Sequence, residues 1–126
     1  NRKKIGKSNI IINGKTNLII SVGNILIEAI DASKKLKDSK IENSVIDLRY
    51  IKPLDNKVLK SVFKKFKKIF IVEEHFTNGG AGSSIIEWAN KFKKQLGQTL
   101  SHPIFFSLTH NNSRFHDTKM IKTYFC

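Results

Sequence analysis

The sequence predicts an α/β fold with three layers: a mostly parallel, five-stranded twisted sheet with an antiparallel edge strand and helices on both faces. Three observations predict this fold. Short apolar runs alternate along the chain with helix-length segments, which is typical of parallel strands joined by right-handed crossovers. One run, residues 69–72, is apolar throughout, as in a strand buried on both faces. Asn13-Gly14 between the first two runs favours a hairpin, which makes the first strand antiparallel.

Length and composition indicate one globular domain. With 126 residues, of which 40% are hydrophobic and 26% charged, we expect residues 1–126 to form a single domain with its own core. The chain begins with asparagine, so we expect it to be a piece of a longer enzyme. No apolar run reaches the roughly 18 residues of a membrane span, so no membrane partner is expected. Cys126 has no disulfide partner, which favours a reducing compartment. We expect the cytoplasm, or an organelle if an upstream targeting segment exists.

The net charge of +13 comes almost entirely from lysine. A nucleic-acid site more often combines arginine with exposed aromatic side chains. Many of these lysines instead follow helix faces, as do Lys57, Lys60, Lys64 and Lys65. We therefore interpret them as solvated helix surface and do not expect nucleic acid as a partner. The alternative, nucleic-acid binding through the lysines, predicts an affinity that falls steeply with salt.

The first half of the chain predicts three strands and two helices. Asn24 is expected to be the N-cap of the first helix. Pro53 lacks an N–H for the sheet ladder, so the third strand ends before it, and Asp55 is placed to cap the second helix. The predicted elements are strands over 5–12, 17–22 and 43–48 and a first helix over 25–38. The predicted buried face of the second helix contains Val58, Leu59, Val62, Phe63 and Phe66.

The fourth strand leads into the most informative stretch of the chain. Polar residues follow its carboxyl end, a glycine turn comes next, and Ser84 with Glu87 forms a capping box that opens a third helix. In open α/β sheets, ligands and partners are met at such carboxyl ends. A fifth strand is predicted over 103–108 and a short terminal helix over 117–125. The residues singled out here are Glu73, Glu74, His75, Gly79, Gly80, Gly82 and Ser84.

These residues do not form a known catalytic pattern. The glycine cluster lacks the lysine of a phosphate-binding loop, so we interpret it as a tight turn. Glu73 and Glu74 are neighbours on a strand and point to opposite faces, so they do not converge on one substrate atom. Glu73 with His75 is a candidate general base, and hydrogen bonding at the strand end is the alternative. Arg49 and Asp55 are expected to pair with each other or with a neighbouring domain. The histidines share no metal-binding spacing.

An ordered series of motifs resembles the C-terminal domain of the transketolase family. That family includes transketolases, 1-deoxy-D-xylulose-5-phosphate synthases and the beta subunits of 2-oxoacid dehydrogenase decarboxylases. The resemblance covers about residues 5–96. The motifs are Ile19 to Gly23, the helix with Glu28 and Ala29, Val45 to Asp55 with Arg49 and Pro53, Glu73-Glu74-His75, and Gly79 to Ser83.

The resemblance implies a thiamine-diphosphate-dependent enzyme that moves a two-carbon unit between sugar phosphates. It implies that thiamine diphosphate and Mg²⁺ are bound by domains absent from this chain, through a Gly-Asp-Gly to Asn-Asn motif that the chain lacks. This domain is then expected to hold no catalytic, cofactor-binding or metal-binding residue. It is expected to pack against upstream cofactor-binding domains or a partner subunit and to support a homodimer. Transketolase and 1-deoxy-D-xylulose-5-phosphate synthase are both open as the subtype.

A hypothesis of a different class is a stand-alone interaction or regulatory module. In that case, a groove at the strand ends around Arg49, His75 and Gly80 binds an acidic ligand or an acidic partner. An autonomous module is expected to be a monodisperse monomer, whereas a domain that lacks its neighbours exposes an apolar patch.

Overall fold

The computed structural model describes residues 4–73 and 81–95, and the backbone of residues 104–109. Within these parts the chain forms five strands, one 3₁₀ turn and three helices. The strands are β1 (Asn9–Ile12), β2 (Leu18–Val22), β3 (Ser44–Asp47), β4 (Lys68–Glu73) and β5 (Ile104–Thr109). The helices are α1 (Leu26–Asp38), α2 (Asn56–Lys65) and α3 (Ala81–Gln95), and the 3₁₀ turn covers Gly23–Ile25. None of the described helices combines the length and the apolarity that a membrane span requires.

The five strands form one sheet in the order β1-β3-β2-β4-β5. Strand β1 lies at one edge and runs antiparallel to β3, while the pairs β2–β3, β2–β4 and β4–β5 are parallel. The predicted fold class, a mostly parallel five-stranded sheet with an antiparallel edge strand, is therefore confirmed.

Helices cover both faces of the sheet. Successive side chains of a strand point to opposite faces, and the central strands are apolar at nearly every position, so both faces need to be buried. On one face, Ile19 and Phe70 pack against Ala29 and Leu36 of α1. On the other face, side chains of β2, β3 and β4 pack against α2 and α3. This second core contains Leu18, Ile20, Ile46, Ile69 and Ile71 of the sheet with Leu59, Val62 and Ile85 of the helices.

The predicted hairpin between β1 and β2 is wrong, because β1 pairs with β3 instead. Gly14 lies directly against the backbone of the segment that enters β3, where a Cβ on residue 14 would overlap the carbonyl of Glu42. The Gly14 N–H donates to Ser44 Oγ at 2.8 Å, and Ser44 Oγ donates to the Gly14 carbonyl at 2.9 Å. The Asn13-Gly14 link therefore passes the start of β3 and leaves room for β3 between β1 and β2.

Two of the three predicted helix starts are wrong. The N-cap of α1 is Ile25, and Asn24 lies before it in the 3₁₀ turn. Helix α3 begins at Ala81, so Ser84 and Glu87 lie inside the helix and do not form a capping box. The third prediction is confirmed, since Asp55 caps α2 by accepting a hydrogen bond from the Val58 N–H at 3.3 Å. The predicted terminal helix over 117–125 lies outside the described residues.

Candidate functional site

The carboxyl ends of the parallel strands lie side by side along one border of the sheet, which runs across the strands. In register, Ser21 lies opposite Asp47, Val22 opposite Glu73, and Glu73 opposite Thr109. The starts of α1 and α3 follow the ends of β2 and β4, and therefore lie at the same edge. We call this surface the carboxyl edge: residues 21–28, 47–55, 73 and the first turn of α3. It is where the sequence predicted ligands or partners to be met.

Glu73 joins the end of β4 to the start of α3. Its Oε1 accepts a hydrogen bond from the Ala81 N–H at 2.5 Å. A carboxylate at this position satisfies one of the free amides of the first helical turn and interacts favourably with the helix dipole. Gly82 is buried and Ser84 is partly buried in the first turns of this helix.

The remaining members of the predicted strand-end motif lie outside the described residues. These are Glu74, His75, Gly79 and Gly80. The role of His75, either hydrogen bonding at the strand end or a general base with Glu73, is therefore not tested by the described residues.

Arg49 pairs with Asp47 and not with Asp55, so the predicted Arg49–Asp55 pair is wrong. Arg49 Nε lies 3.4 Å from Asp47 Oδ2, and both side chains are about one-fifth exposed (24% and 18%). Arg49 has a φ of +64°, in the left-handed region that non-glycine residues rarely adopt. The Arg49 side chain thus pairs with the last residue of β3.

Asp55 is held by the N-terminal segment of the chain. It is 4% exposed, and its Oδ2 accepts hydrogen bonds from the Ser8 N–H at 2.9 Å and the Ser8 hydroxyl at 3.0 Å. Burial raises the pKa of Asp55. The hydrogen bonds from Ser8 and Val58 and the charge of Lys7 outweigh burial, so the pKa lies below its ordinary value. Ser8 is 47 residues away in sequence, and no local pattern indicates this contact.

Gly6 and Pro53 complete the contact between the N-terminal segment and the loop after β3. Gly6 has a φ of +76°, and a Cβ at this position would lie 2.9 Å from Pro53 Cγ. The third strand was predicted to end before Pro53, and β3 does end before it, at Asp47. Pro53 additionally serves as the surface on which the backbone of Gly6 packs.

The sequence analysis did not predict that two polar side chains at the carboxyl edge, Ser21 and Glu28, have unpaired atoms. Ser21 Oγ and Glu28 Oε2 are both covered from solvent, and neither has a hydrogen-bond partner in the described parts of the chain. Beside them, Ile27 is 70% exposed. Ile5, which precedes the contact with Pro53, is 76% exposed, and these are the two most exposed large apolar side chains of the described residues. Nothing in the sequence indicates that an oxygen of Glu28 is buried without a partner.

The carboxyl edge offers no evident seat for a metal ion. Within residues 4–73 and 81–95, no group of three or more histidine, cysteine, aspartate or glutamate side chains converges. Asp55, Glu73 and Asp47 are each engaged in a bond that holds the loop, the helix start or Arg49 in place. Each of these three carboxylates therefore has a structural partner within the described residues.

An open groove lies next to this edge, between the N-terminal segment and α2. Its volume is about 480 Å³. Apolar side chains of Ile10, Val58 and Val62 line it, and its basic side chains are Lys4, Lys7 and Lys57. The groove does not include Arg49, so it is not the one predicted around Arg49, His75 and Gly80.

The domain architecture and the ordered motifs match one known family. A family model described as the C-terminal domain of transketolase matches residues 6–107. The chain belongs to the transketolase family, as a C-terminal domain. The resemblance read from the sequence is therefore confirmed.

Similar curated proteins are 1-deoxy-D-xylulose-5-phosphate synthases. The protein from Halothermothrix orenii is 40% identical over 87 residues, which cover 69% of this chain and 14% of that protein. The protein from Cytophaga hutchinsonii is 38% identical over 84 residues, which cover 67% of this chain and 13% of that protein. This transketolase C-terminal domain thus spans about one seventh of the length of these relatives.

A solved structure supports the fold. It is described as a split gene transketolase, inactive beta4 tetramer. The TM-score is 0.69 at 24% identity, and the match covers 88% of this chain and 34% of that one. The likeness places this sheet and its helices in the same fold.

Proposed function

We propose that this transketolase C-terminal domain is the non-catalytic packing domain of a thiamine-diphosphate-dependent enzyme that transfers two-carbon units. The observation that carries the proposal is the carboxyl edge, where Asp47, Asp55 and Glu73 are all engaged in structural bonds. Of the described carboxylates at this edge, only Glu28 has a buried oxygen without a hydrogen-bond partner, so the edge supports packing more than acid–base work. Similarity to 1-deoxy-D-xylulose-5-phosphate synthases favours that synthase as the subtype, with transketolase as the alternative.

Thiamine diphosphate and Mg²⁺ belong to other domains of the enzyme in this proposal. The group needs oxygen ligands for the metal and a cradle of amides for the diphosphate. Glu73 already accepts the Ala81 N–H at the start of α3, so this helix start repels a second anion. The described residues therefore do not fit the cofactor.

The partners of the domain are the upstream cofactor-binding domains or a partner subunit, and the enzyme is a homodimer that acts on sugar phosphates. Support comes from the relatives, of whose length the matched part of this chain covers about one seventh. The similar structure is described as a tetramer of beta chains, so a split enzyme with a separate partner subunit is the second arrangement. The cytoplasm is proposed as the compartment.

The experiment uses the natural-length enzyme and the 126-residue chain side by side. The natural-length enzyme is expected to form 1-deoxy-D-xylulose 5-phosphate or to transfer ketol units between sugars when supplied with thiamine diphosphate and Mg²⁺. The 126-residue chain is expected to be inactive and to give no heat of thiamine diphosphate binding in calorimetry. Tight binding of the cofactor to the 126-residue chain alone would contradict the proposal.

A second candidate function is a module that binds an acidic ligand, and the groove beside α2 favours it. Three lysines, Lys4, Lys7 and Lys57, line this groove of about 480 Å³. The module is expected to bind an acidic peptide with an affinity that falls when Lys7 and Lys57 are replaced by glutamine. Lys34→Gln is the control, because Lys34 does not line the groove. Binding that is lost in K7Q/K57Q and kept in K34Q would support the module. Equal binding by the wild type, K34Q and K7Q/K57Q would exclude the groove as the binding site.

A further inference from the structure

We propose that the surface between α2 and α3 binds single-stranded nucleic acid: ammonium groups of α2 pair with phosphates, and an aromatic ring of α3 packs against a base. The surface is an open pocket of about 240 Å³, which we call the α2–α3 pocket. It is lined by Asn56, Lys60, Trp88, Lys91, Phe92 and Gln95. None of these residues belongs to the carboxyl edge, so the inference goes beyond the proposed function and does not rest on it.

Trp88 is held in a fixed orientation at the wall of the pocket. Its ring stacks on Phe92, with centroids 5.1 Å apart and planes inclined by 21°. It also contacts Phe63 edge-to-face, with centroids 6.0 Å apart. The Trp88 Nε1–H donates a hydrogen bond to Asn56 Oδ1 at 2.8 Å. Trp88 is nevertheless partly exposed. A partly exposed ring that is already held in place loses little conformational freedom when a planar group packs against it.

Two ammonium groups of α2 lie near the same ring of α3. Lys60 Nζ is 5.8 Å and Lys64 Nζ is 6.0 Å from the centroid of the Phe92 ring. Neither lysine takes part in an ion pair with any of the described residues. Like charges four residues apart on a helix repel each other. An anionic group bound between Lys60 and Lys64 removes this repulsion, so the charge of the pocket favours an anion.

The positive charge continues along α2 beyond the pocket. The sequence of this helix contains four lysines and no aspartate or glutamate. Lys57, Lys60 and Lys64 follow one another at intervals of three and four residues, so they lie on one side of the helix over about 10 Å. A row of cations complements a polymer with repeating negative charges better than it complements a single small anion.

The aromatic wall favours nucleic acid over an acidic polypeptide. Both polymers supply repeating negative charges, but every nucleotide also carries a planar base that packs against an aromatic ring. Aspartate and glutamate carry no such group. Single strands fit better than duplexes, because their bases are not held in base pairs. The sequence analysis interpreted the lysines as solvated helix surface and did not expect nucleic acid. The fold adds the ring of Trp88 beside Lys60, although β4 separates the two helices in sequence.

The test measures binding of a fluorescently labelled oligothymidylate of about 12 nucleotides to the natural-length enzyme by fluorescence anisotropy. The double substitution K60Q/K64Q is expected to weaken binding by about tenfold or more at low salt. It is also expected to reduce the slope of log Kd against log salt concentration by about 1.4, the value for two lost phosphate contacts. The matched control is K34Q/K37Q, which removes the same charge from exposed positions of α1 on the other face of the sheet. The control is expected to leave the slope unchanged.

Substitutions of Trp88 test the contact with a base. Trp88→Leu removes the ring and is expected to weaken binding by about fivefold or more, whereas Trp88→Phe keeps a ring and is expected to retain most of the affinity. The thermal transition of each variant shows that it is folded. Trp88 is the single tryptophan of the 126-residue chain, so quenching of that chain's tryptophan fluorescence by unlabelled oligothymidylate is expected as well.

Each outcome decides the proposal. Weaker binding in K60Q/K64Q and W88L, with binding kept in K34Q/K37Q and W88F, supports the site. Equal losses in the two lysine pairs mean that the overall positive charge attracts the oligonucleotide, which overturns the site. Unchanged binding in W88L overturns the contact with a base. Poly-glutamate that displaces the oligonucleotide as well as unlabelled oligothymidylate does makes the pocket a site for acidic polypeptide, and absence of binding by the wild type removes the site altogether.

Discussion

Glu73 and Ala81 are joined by a hydrogen bond of 2.5 Å that links the last residue of β4 to the first residue of α3. The bond holds the end of the strand to the start of the helix. It also assigns a structural role to a glutamate whose position at a strand end suggested acid–base chemistry. Family membership and this contact both support the proposed packing role of the described part of the carboxyl edge.

Removing the Glu73 carboxylate is expected to destabilise the domain. Glu73→Ala removes a charge-assisted bond to a helix N-terminus, which contributes about 1–2 kcal/mol. The free energy of unfolding from urea titration measures the loss. Glu87→Ala, on an exposed part of the same helix, is expected to cost less than about 0.5 kcal/mol. Equal losses in the two variants would contradict the role of Glu73 at the helix start.

Asp55 is expected to make stability depend on acid pH. Its pKa is lowered from the ordinary value of 3.8, because the hydrogen bonds from Ser8 and Val58 and the charge of Lys7 outweigh burial. The folded chain therefore binds this proton less tightly than the unfolded chain. The contribution of Asp55 to stability is fully present above pH 3.8 and is lost as the pH falls through the lower, folded-state pKa.

The measurement compares urea unfolding of wild type and Asp55→Asn between neutral pH and pH 2. The difference in unfolding free energy between the two proteins is expected to shrink as the pH falls below 3.8. Ser8→Ala removes the hydroxyl donor and keeps the backbone N–H, so its effect is expected in the same direction and to be smaller. A difference that stays constant with pH would contradict the shifted pKa of Asp55.

The sequence predicted the fold because the alternation of apolar runs and amphipathic segments reflects which faces are buried. Contacts between distant segments left no such pattern. Ser8 and Asp55 are 47 residues apart in sequence and are joined by hydrogen bonds. The Asn13-Gly14 pair is typical of a hairpin, and nothing in it indicates that the link passes the start of β3. The start of α3 was misplaced because the donor at its first turn is satisfied from Glu73, outside the helix. The unpaired oxygen of Glu28 depends on three-dimensional packing and could not be predicted from residue order.

Gly14 is expected to tolerate no side chain. A Cβ there would overlap the backbone of Glu42 and Asn43, which cannot move without disturbing the entry to β3. We expect Gly14→Ala to lower the free energy of unfolding by roughly 2–4 kcal/mol. The neighbouring Asn13 is exposed, and Asn13→Ala is expected to change it by less than about 0.5 kcal/mol. A mild effect of G14A would mean that the link between β1 and β2 follows a different path.

Substitutions of Arg49 test whether its unfavourable backbone conformation lowers the stability of this domain and supports contact with the rest of the enzyme. Its φ of +64° costs a non-glycine residue about 1 kcal/mol, and its ion pair with Asp47 is a single contact at 3.4 Å, which offsets only part of that cost. Arg49→Gly is therefore expected to raise the unfolding free energy of the 126-residue chain by up to about 1 kcal/mol. Arg49→Ala keeps the strain and loses the pair, so it is expected to be slightly destabilising.

Lys40 provides the control for Arg49. It has a φ of +63° at the end of α1, where the Ile41 N–H bonds the Leu36 carbonyl in a turn that favours glycine. Lys40→Gly is expected to stabilise the chain by a similar amount and to leave the activity of the natural-length enzyme unchanged. Arg49→Gly is expected to stabilise the chain and, if other domains cover this edge as proposed, to reduce that activity, because it removes a guanidinium from the contact. If both variants leave the enzyme equally active, the strain at Arg49 serves only the turn after β3.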